Sequence, residues 1–328
     1  MALGGLFICL EVLIGVCCCL GNALVMFAVW RSGALNQSTF CLIVSLAMAD
    51  FLVGCLAVPL AVLEGMEIET SFSLCLFISC VLIVPLQASV LSLLAIAVDR
   101  CLRVCIPFRY KSSVNKRHSW SWLLAGVCWI LACLLGFIPM FGWYKHETLK
   151  ELNSTSFNCE FKAVIPTSFM VNFIFFGVFI PPLFIMIALY CYIFFKIRSL
   201  SRGKAGVAES EAYTQKEHRL ALSLLLVLVL FVVFWLPLNI MHTINFYSQN
   251  TQVSASLMYF GVILSHANSV VNPVVYAFKV PKIRAEFSMI WRQVTGSWQQ
   301  EERISRTPEI QTRAGHGNIC QVDFNAGE

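Results

Sequence analysis

"LSHANSVVNPVVYAF", residues 264–278, closes an apolar run that begins near residue 255 and puts a histidine, two asparagines and a proline inside it. The run is long enough to cross a bilayer, where every polar group that lacks a partner costs several kcal/mol. Such a segment is stable only if its polar side chains turn toward an interior built by other helices. Helical spacing puts Met258, Val262, Ser265 and Ser269 along one side, with His266 one turn from Val262. Asn272-Pro273 then interrupts the backbone ladder, because proline has no N–H to donate, and a nearby Asn or Ser is needed for the carbonyl it frees. Taken alone, this segment is readable as part of a switch, the alternative being a packing kink.

The rest of the chain sets the context. Its 328 residues are 58% hydrophobic and 12% charged, with a mean hydropathy of +0.76, which belongs to membrane proteins rather than soluble domains. Apolar runs recur near 6–30, 40–64, 75–98, 120–143, 167–195, 219–247 and 255–278, which predicts seven spans. A count of six requires the first run to be a cleaved signal peptide, but it lacks a basic leading region and is too long. The runs are also too long and too continuous for barrel strands. The expected fold is therefore an all-α membrane protein, a seven-transmembrane helix bundle. Pro59, Pro85, Pro181-Pro182 and Pro237 fall within spans as Pro273 does, and helices bent near their middles suit a moving bundle better than an anchor.

Charge sets the expected orientation, since Lys and Arg are retained on the cytoplasmic side. Arg31, six basic residues in 100–117, six in 196–219 and seven in 279–313 share one side, and only Lys145, Lys150 and Lys162 fall on the other. The N-terminus is expected outside and the C-terminus inside. The net charge of +5 then reports topology and contact with anionic lipid or an intracellular partner, and gives no support to nucleic-acid binding.

Most of the fifteen cysteines lie inside apolar runs, as in "VCCCLG", where a small polarizable side chain packs without a partner. Cys75 and Cys159 differ: both fall on the expected outer, oxidising side. They form either a disulfide that pins the long outer loop to the third span or two separate thiols, and the disulfide is the expectation. Asn153-Ser154-Thr155 in that loop is a glycosylation sequon.

Of eighteen acids only Glu11 and Asp50 lie well inside spans, and of six histidines only His242 and His266. Asn22, Gln87, Ser89, Asn239, Ser265, Asn268 and Asn272 accompany them. Together they should line an interior.

Asn22 in "LGNALV", Asp50 in "SLAMAD", "SLLAIAVDRCLRV", Trp129, Pro182 with Tyr190, "FWLPL" and "NPVVY" stand in order across residues 6–290. As a set they resemble the rhodopsin-like G-protein-coupled receptors. "PMFGW", "WLPL" and "LSHANSVVNPVVYA" are similar to the adenosine receptor family, nearest its type 3 subtype. The resemblance implies a plasma-membrane receptor that binds adenosine or a related purine, signals through a heterotrimeric G protein of the inhibitory class, and has no enzymatic activity. It implies no cofactor other than a sodium ion acting allosterically.

Site roles follow from the same resemblance. A planar purine needs an apolar clamp and a few convergent polar groups. Phe161, two residues after the bridged cysteine, would clamp it together with Leu82, Ile83, Met170, Leu238, Met258 and Val262, above Trp235 and near Leu86 and Gln87. Ser265 and His266 would take the ribose, with Glu11 as the partner of His266. Asp50, Ser89, Asn268 and Asn272 would hold sodium, the alternative being a protonated Asp50 in a watery cavity. Asp99, Arg100 and Glu217, with Tyr190 and Tyr276, would form the G-protein switch. The chain departs from the adenosine receptors at His242 (Asn in the family), Leu86 (Thr) and Cys101 (Tyr), and has Lys162 where several subtypes have an acid.

Three other readings are weighed against this one. A receptor of the same architecture could take a more acidic ligand, given His242. A transporter or channel would show repeated halves with broken helices, and no internal repeat is present. An enzyme would need a nucleophile and base, or metal-ligand spacing, which the polar cluster lacks. Residues 1–290 are expected to form the receptor domain, with a short amphipathic cytoplasmic helix at 279–290 on the inner leaflet. Residues 291–328 read as a disordered polar tail.

Overall fold

The computed structural model describes residues 2–64, 69–105, 114–151, 157–203, 208–248 and 252–296. Eight long helices dominate these residues. α1 is Ala2–Arg31, and α2 joins Ser38–Leu52 to Val58–Glu64 through a π-helical turn at Val53–Ala57. α3 is Phe72–Cys105 and α4 is Val114–Gly136. α5 joins a widened segment, Phe169–Phe179, to Ile180–Gly203. α6 is Ala208–Tyr247, α7 is Ala255–Lys279 and α8 is Pro281–Val294. The chain divides into one compact unit of residues 1–287, which contains the bundle, and a second of residues 288–328.

In the bundle α1 packs on α2 and α7, α7 on α6, and α6 on α5, while α3 runs between α2, α4 and α5. Among the described residues, five helical stretches are individually long and apolar enough to cross a membrane. The other two spans fall short for different reasons. The apolar stretch found in α4 is the shorter Trp120–Gly136. α7 is diluted by His266, Asn268 and Asn272, the side chains that mark it as facing an interior.

The prolines explain the irregular turns. Val58 donates to Val53 and Ile180 to Phe175, each five residues back, just before Pro59 and Pro181. An extra residue in the preceding turn gives the proline ring the room that an α-helical i−4 carbonyl denies it. Pro139 does more. The fourth run was expected to stay helical to residue 143, but α4 stops at Gly136 and a 3-10 turn, Ile138–Phe141, follows. Pro139 has no N–H to give the carbonyl four residues before it and its ring crowds that carbonyl, and Gly142 then turns the chain at φ 118°. At Pro273 the kink is held by another helix: the Ser269 carbonyl, which it leaves without its N–H partner, accepts from Asn22 Nδ2 at 2.9 Å.

Hydrocarbon gives helices little hydrophobic reason to associate, so close backbone packing decides where they meet. Gly15 and Gly54 let α1 and α2 cross in contact, and Gly21 lets α1 approach the α7 kink. A Cβ on Gly21 would lie 3.1 Å from Pro273 Cγ and 3.2 Å from its Cβ. Gly21→Val is therefore expected to cost about 1–3 kcal/mol, read as a lower melting temperature in detergent. Gly5→Val, where an added Cβ meets nothing within 4 Å, should leave the melting temperature unchanged. Beyond α7, Arg31 Nε lies 3.6 Å from Glu286 Oε2, and Lys282 Nζ sits 5.8 Å from the Phe40 ring centre, which ties the first turns of α8 to α1 and α2.

Candidate functional site

At one end of the bundle Cys75, in the first turn of α3, is disulfide-bonded to Cys159. Beside the bridge, β1 (Glu69–Thr70) pairs antiparallel with β2 (Phe157–Asn158). Phe161 opens the single helical turn Phe161–Val164 that follows. The bridge sets that turn against α3 and α5: Phe161 and Met170 pack on a buried cluster that includes Phe72, Leu76, Ile83, Ile165 and Phe169. A second cluster, Leu238, Met241 and Met258 with Trp235, Val253 and Val262, joins α6 to α7. All the expected clamp residues but Leu82 thus fall into two packed groups. Leu82 and Leu86 are half-buried on α3, and Gln87 is buried.

Deeper in, α1 meets α7 through polar chemistry. Glu11 is fully buried, and its Oε2 lies 2.8 Å from His266 Nδ1. Its Oε1 has no hydrogen-bond partner among the described residues. Ser265, one residue away, donates to the Val262 carbonyl at 2.8 Å. The Trp235 indole N–H is buried without a partner among the described residues, at the end of a ring series through Phe231 (6.2 Å) to Phe179 (5.6 Å). His242 lies one turn along α6 from Leu238, half-buried, with Lys162 close enough to act on its ring electrostatically.

Midway along the bundle Asp50 is fully buried. It accepts from Asn272 Nδ2 at 2.6 Å, Ser269 Oγ at 2.9 Å and Ser89 Oγ at 3.5 Å, so α2, α3 and α7 converge on one carboxylate. Burying such a group is costly unless it is hydrogen-bonded or compensated. Ser89 and Asn272 were expected there. Ser269 was expected on the face of Ser265 but not as a partner of Asp50; its place three residues before Asn272 is the signal that finds it. Asn268 is buried beside them, and its Oδ1 has no partner among the described residues.

At the far end of α3, Asp99 is paired with Arg100 Nη2 at 3.0 Å. It also accepts from Ser38 and from Thr39 at 2.6 Å, and Arg103 Nε lies 3.4 Å away. Sequence reading missed Ser38, Thr39 and Arg103. Arg103 was findable as the i+4 neighbour of Asp99, whereas the two α2 hydroxyls are placed only by tertiary packing. Tyr190 and Tyr276 are buried, and the Tyr276 hydroxyl has no partner among the described residues. The side chain of Glu217, like the Asn153 sequon, lies outside the described residues.

A seven-helix bundle with a bridged loop at one end, a buried acid at its centre and an Asp-Arg pair at the other end describes a class of signalling receptor. Residues 21–276 match the model of the 7 transmembrane receptor (rhodopsin family), and the chain belongs to that family. Within it the chain is 42% identical over 285 residues to Adenosine receptor A3 of Ovis aries, which covers 87% of this chain and 89% of that receptor. It is 41% identical to the receptor of the same name from Bos taurus over 285 residues (87% and 89% covered) and from Canis lupus familiaris over 288 (87% and 90%). This is a multi-pass G-protein-coupled receptor of the adenosine-receptor type, not an enzyme.

Proposed function

We propose that the chain is a plasma-membrane receptor for adenosine or a related purine. The N-terminus and the bridged loop are outside, the C-terminus is cytoplasmic, and an inhibitory heterotrimeric G protein is engaged at the Asp99-Arg100 end. The Glu11–His266 pair carries this reading, because it sets a polar anchor for a ribose next to Ser265 and beneath two apolar clusters that suit a flat base. The test is cyclic AMP in cells expressing the receptor. Adenosine lowers it; absence of a response to adenosine, inosine, adenine and nucleotides, at normal surface expression, sinks the purine assignment.

Lys162, whose charge acts on His242, supports a second reading of the ligand, in which the pocket favours a purine bearing an acidic group. An imidazole offers one donor and one acceptor, though not with amide geometry, and Leu86 offers neither. The double change His242→Asn with Leu86→Thr is expected to raise adenosine potency about tenfold, the worth of one recovered hydrogen bond of about 1.4 kcal/mol. An unchanged potency removes this account of the pocket.

Asp50 with Ser89, Asn268, Asn272 and, in addition, Ser269 has the oxygen donors a sodium ion requires. Asp50→Asn is expected to abolish any decrease in agonist affinity on replacing potassium by sodium in the assay buffer. If sodium still acts on that variant, the ion binds elsewhere. Residues 1–290 form the receptor domain in this reading. Residues 291–328 are a cytoplasmic tail, and Asn153 carries an outer glycan.

A further inference from the structure

The cysteine run in α1 is expected to pack without partners, yet Cys19 meets another thiol: its Sγ lies 3.2 Å from Cys55 Sγ of the π-helical turn in α2. Glycines produce the contact. A Cβ on Gly54 would lie 2.8 Å from Cys19 Sγ and 3.0 Å from the Gly15 carbonyl oxygen, and one on Gly15 would lie 2.9 Å from Val58 Cγ1. The two backbones therefore meet directly, and the thiols sit at the rim of that crossing. Cys55 is exposed and Cys19 half-buried, beside the exposed apolar side chains of Val16 and Leu20. On a helix spanning a bilayer this rim opens to lipid chains rather than water. Neither thiol belongs to the ligand pocket, the Asp50 cluster or the Asp99 network.

We propose that Cys19 and Cys55 are an oxidisable dithiol, a modification site that lipid peroxyl radicals close into a disulfide between α1 and α2. Thiolate chemistry is disfavoured in hydrocarbon, because the charged sulfur is not solvated there. Hydrogen-atom transfer requires no charge. One peroxyl radical takes the hydrogen of the Cys19 S–H and a second takes that of Cys55, and both become lipid hydroperoxides. The two thiyl sulfurs then pair their unpaired electrons in an S–S bond, so the dithiol loses two hydrogen atoms and two peroxyl radicals are reduced. A disulfide is about 2.05 Å long, so closure from 3.2 Å needs roughly 1 Å of sulfur movement, within the reach of side-chain rotation. The new bond would hold α1 at the α2 turn that directly follows the Asp50 segment, where Cys18 Sγ already donates to the Asp50 carbonyl at 2.9 Å.

The test uses the full-length receptor in nanodiscs of polyunsaturated phosphatidylcholine, exposed to a lipid-soluble azo initiator, alkylated and mapped by mass spectrometry. The expected product is a Cys19–Cys55 cross-linked peptide two hydrogens lighter than its parts, reversed by reductant and absent when the initiator is omitted or a lipid-soluble chain-breaking antioxidant is added. It should be lost in Cys19→Ser and in Cys55→Ser and retained in Cys17→Ser. Because either serine variant could fail to fold, the comparison with and without initiator on the unmodified chain stands by itself. Oxidation of the lipid-exposed Cys9 and Cys133 reports that radicals reached the protein. Recovery of Cys19 and Cys55 as separately alkylated thiols in that sample, or a cross-link from Cys55 to Cys17 or Cys18, overturns the proposal.

Discussion

His266→Ala is expected to destabilise the receptor by about 3 kcal/mol and to lower its melting temperature on the order of 5–10 °C. The reason is Glu11, which is fully buried, with Oε2 engaged by His266 at 2.8 Å and Oε1 without a partner among the described residues. Removing the imidazole leaves a carboxyl group inside the bundle with neither oxygen bonded. That loss exceeds the net worth of the hydrogen bond itself. The double variant Glu11→Ala with His266→Ala should therefore be more stable than His266→Ala alone, since the stranded group has gone. Glu11→Gln, which keeps an acceptor, should cost only about 1 kcal/mol. Thermal denaturation of the four proteins in one detergent orders them. If the double variant is the least stable, Glu11 is compensated by something other than His266.

Cys159→Ser should have an effect of similar size by a different route. The bridge closes a loop with a sequence separation of 84 residues, and losing it restores roughly 4–5 kcal/mol of conformational freedom to the unfolded chain. It also frees the turn that presents Phe161 to the α3–α5 cluster. Ligand binding at the cell surface is expected to fall at least tenfold. Cys75→Ser should match it, and the double variant should be no worse than either single one, because one bond is lost in all three. Additive losses would show that the two cysteines contribute separately.

Some of this was visible residue by residue before any coordinates. The Glu11–His266 bond was expected because the family resemblance places His266 in the pocket and Glu11, an acid in a neighbouring span, is the partner that hydrocarbon burial demands. The Cys75–Cys159 pairing was visible through elimination by compartment. The carbonyl freed by Pro273 was expected to need an Asn or Ser, and Asn22 supplies it. Other features were not legible. α4 ends at Gly136 rather than residue 143, because Pro139 cannot donate to the carbonyl four residues before it, and that loss outweighs continued hydrophobicity. Ser38 and Thr39 reach Asp99 only because the start of α2 packs against the end of α3, across a separation of about sixty residues with no sequence pattern linking them.

The amino-acid sequence by itself determined the solvent of this protein, the number of its spans and which face of each must turn inward. Those are properties of single segments: apolar length sets whether a helix can cross, and each polar group in hydrocarbon has a local cost that periodicity reveals. Tertiary structure alone decided the partners. That Ser269 serves Asp50, that Arg103 joins Arg100 on Asp99, and that Cys19 touches Cys55 all depend on how closely two helices approach and in which rotation. Approach is set by small residues such as Gly15, Gly21 and Gly54 acting across helices, a pairwise quantity that no single segment contains.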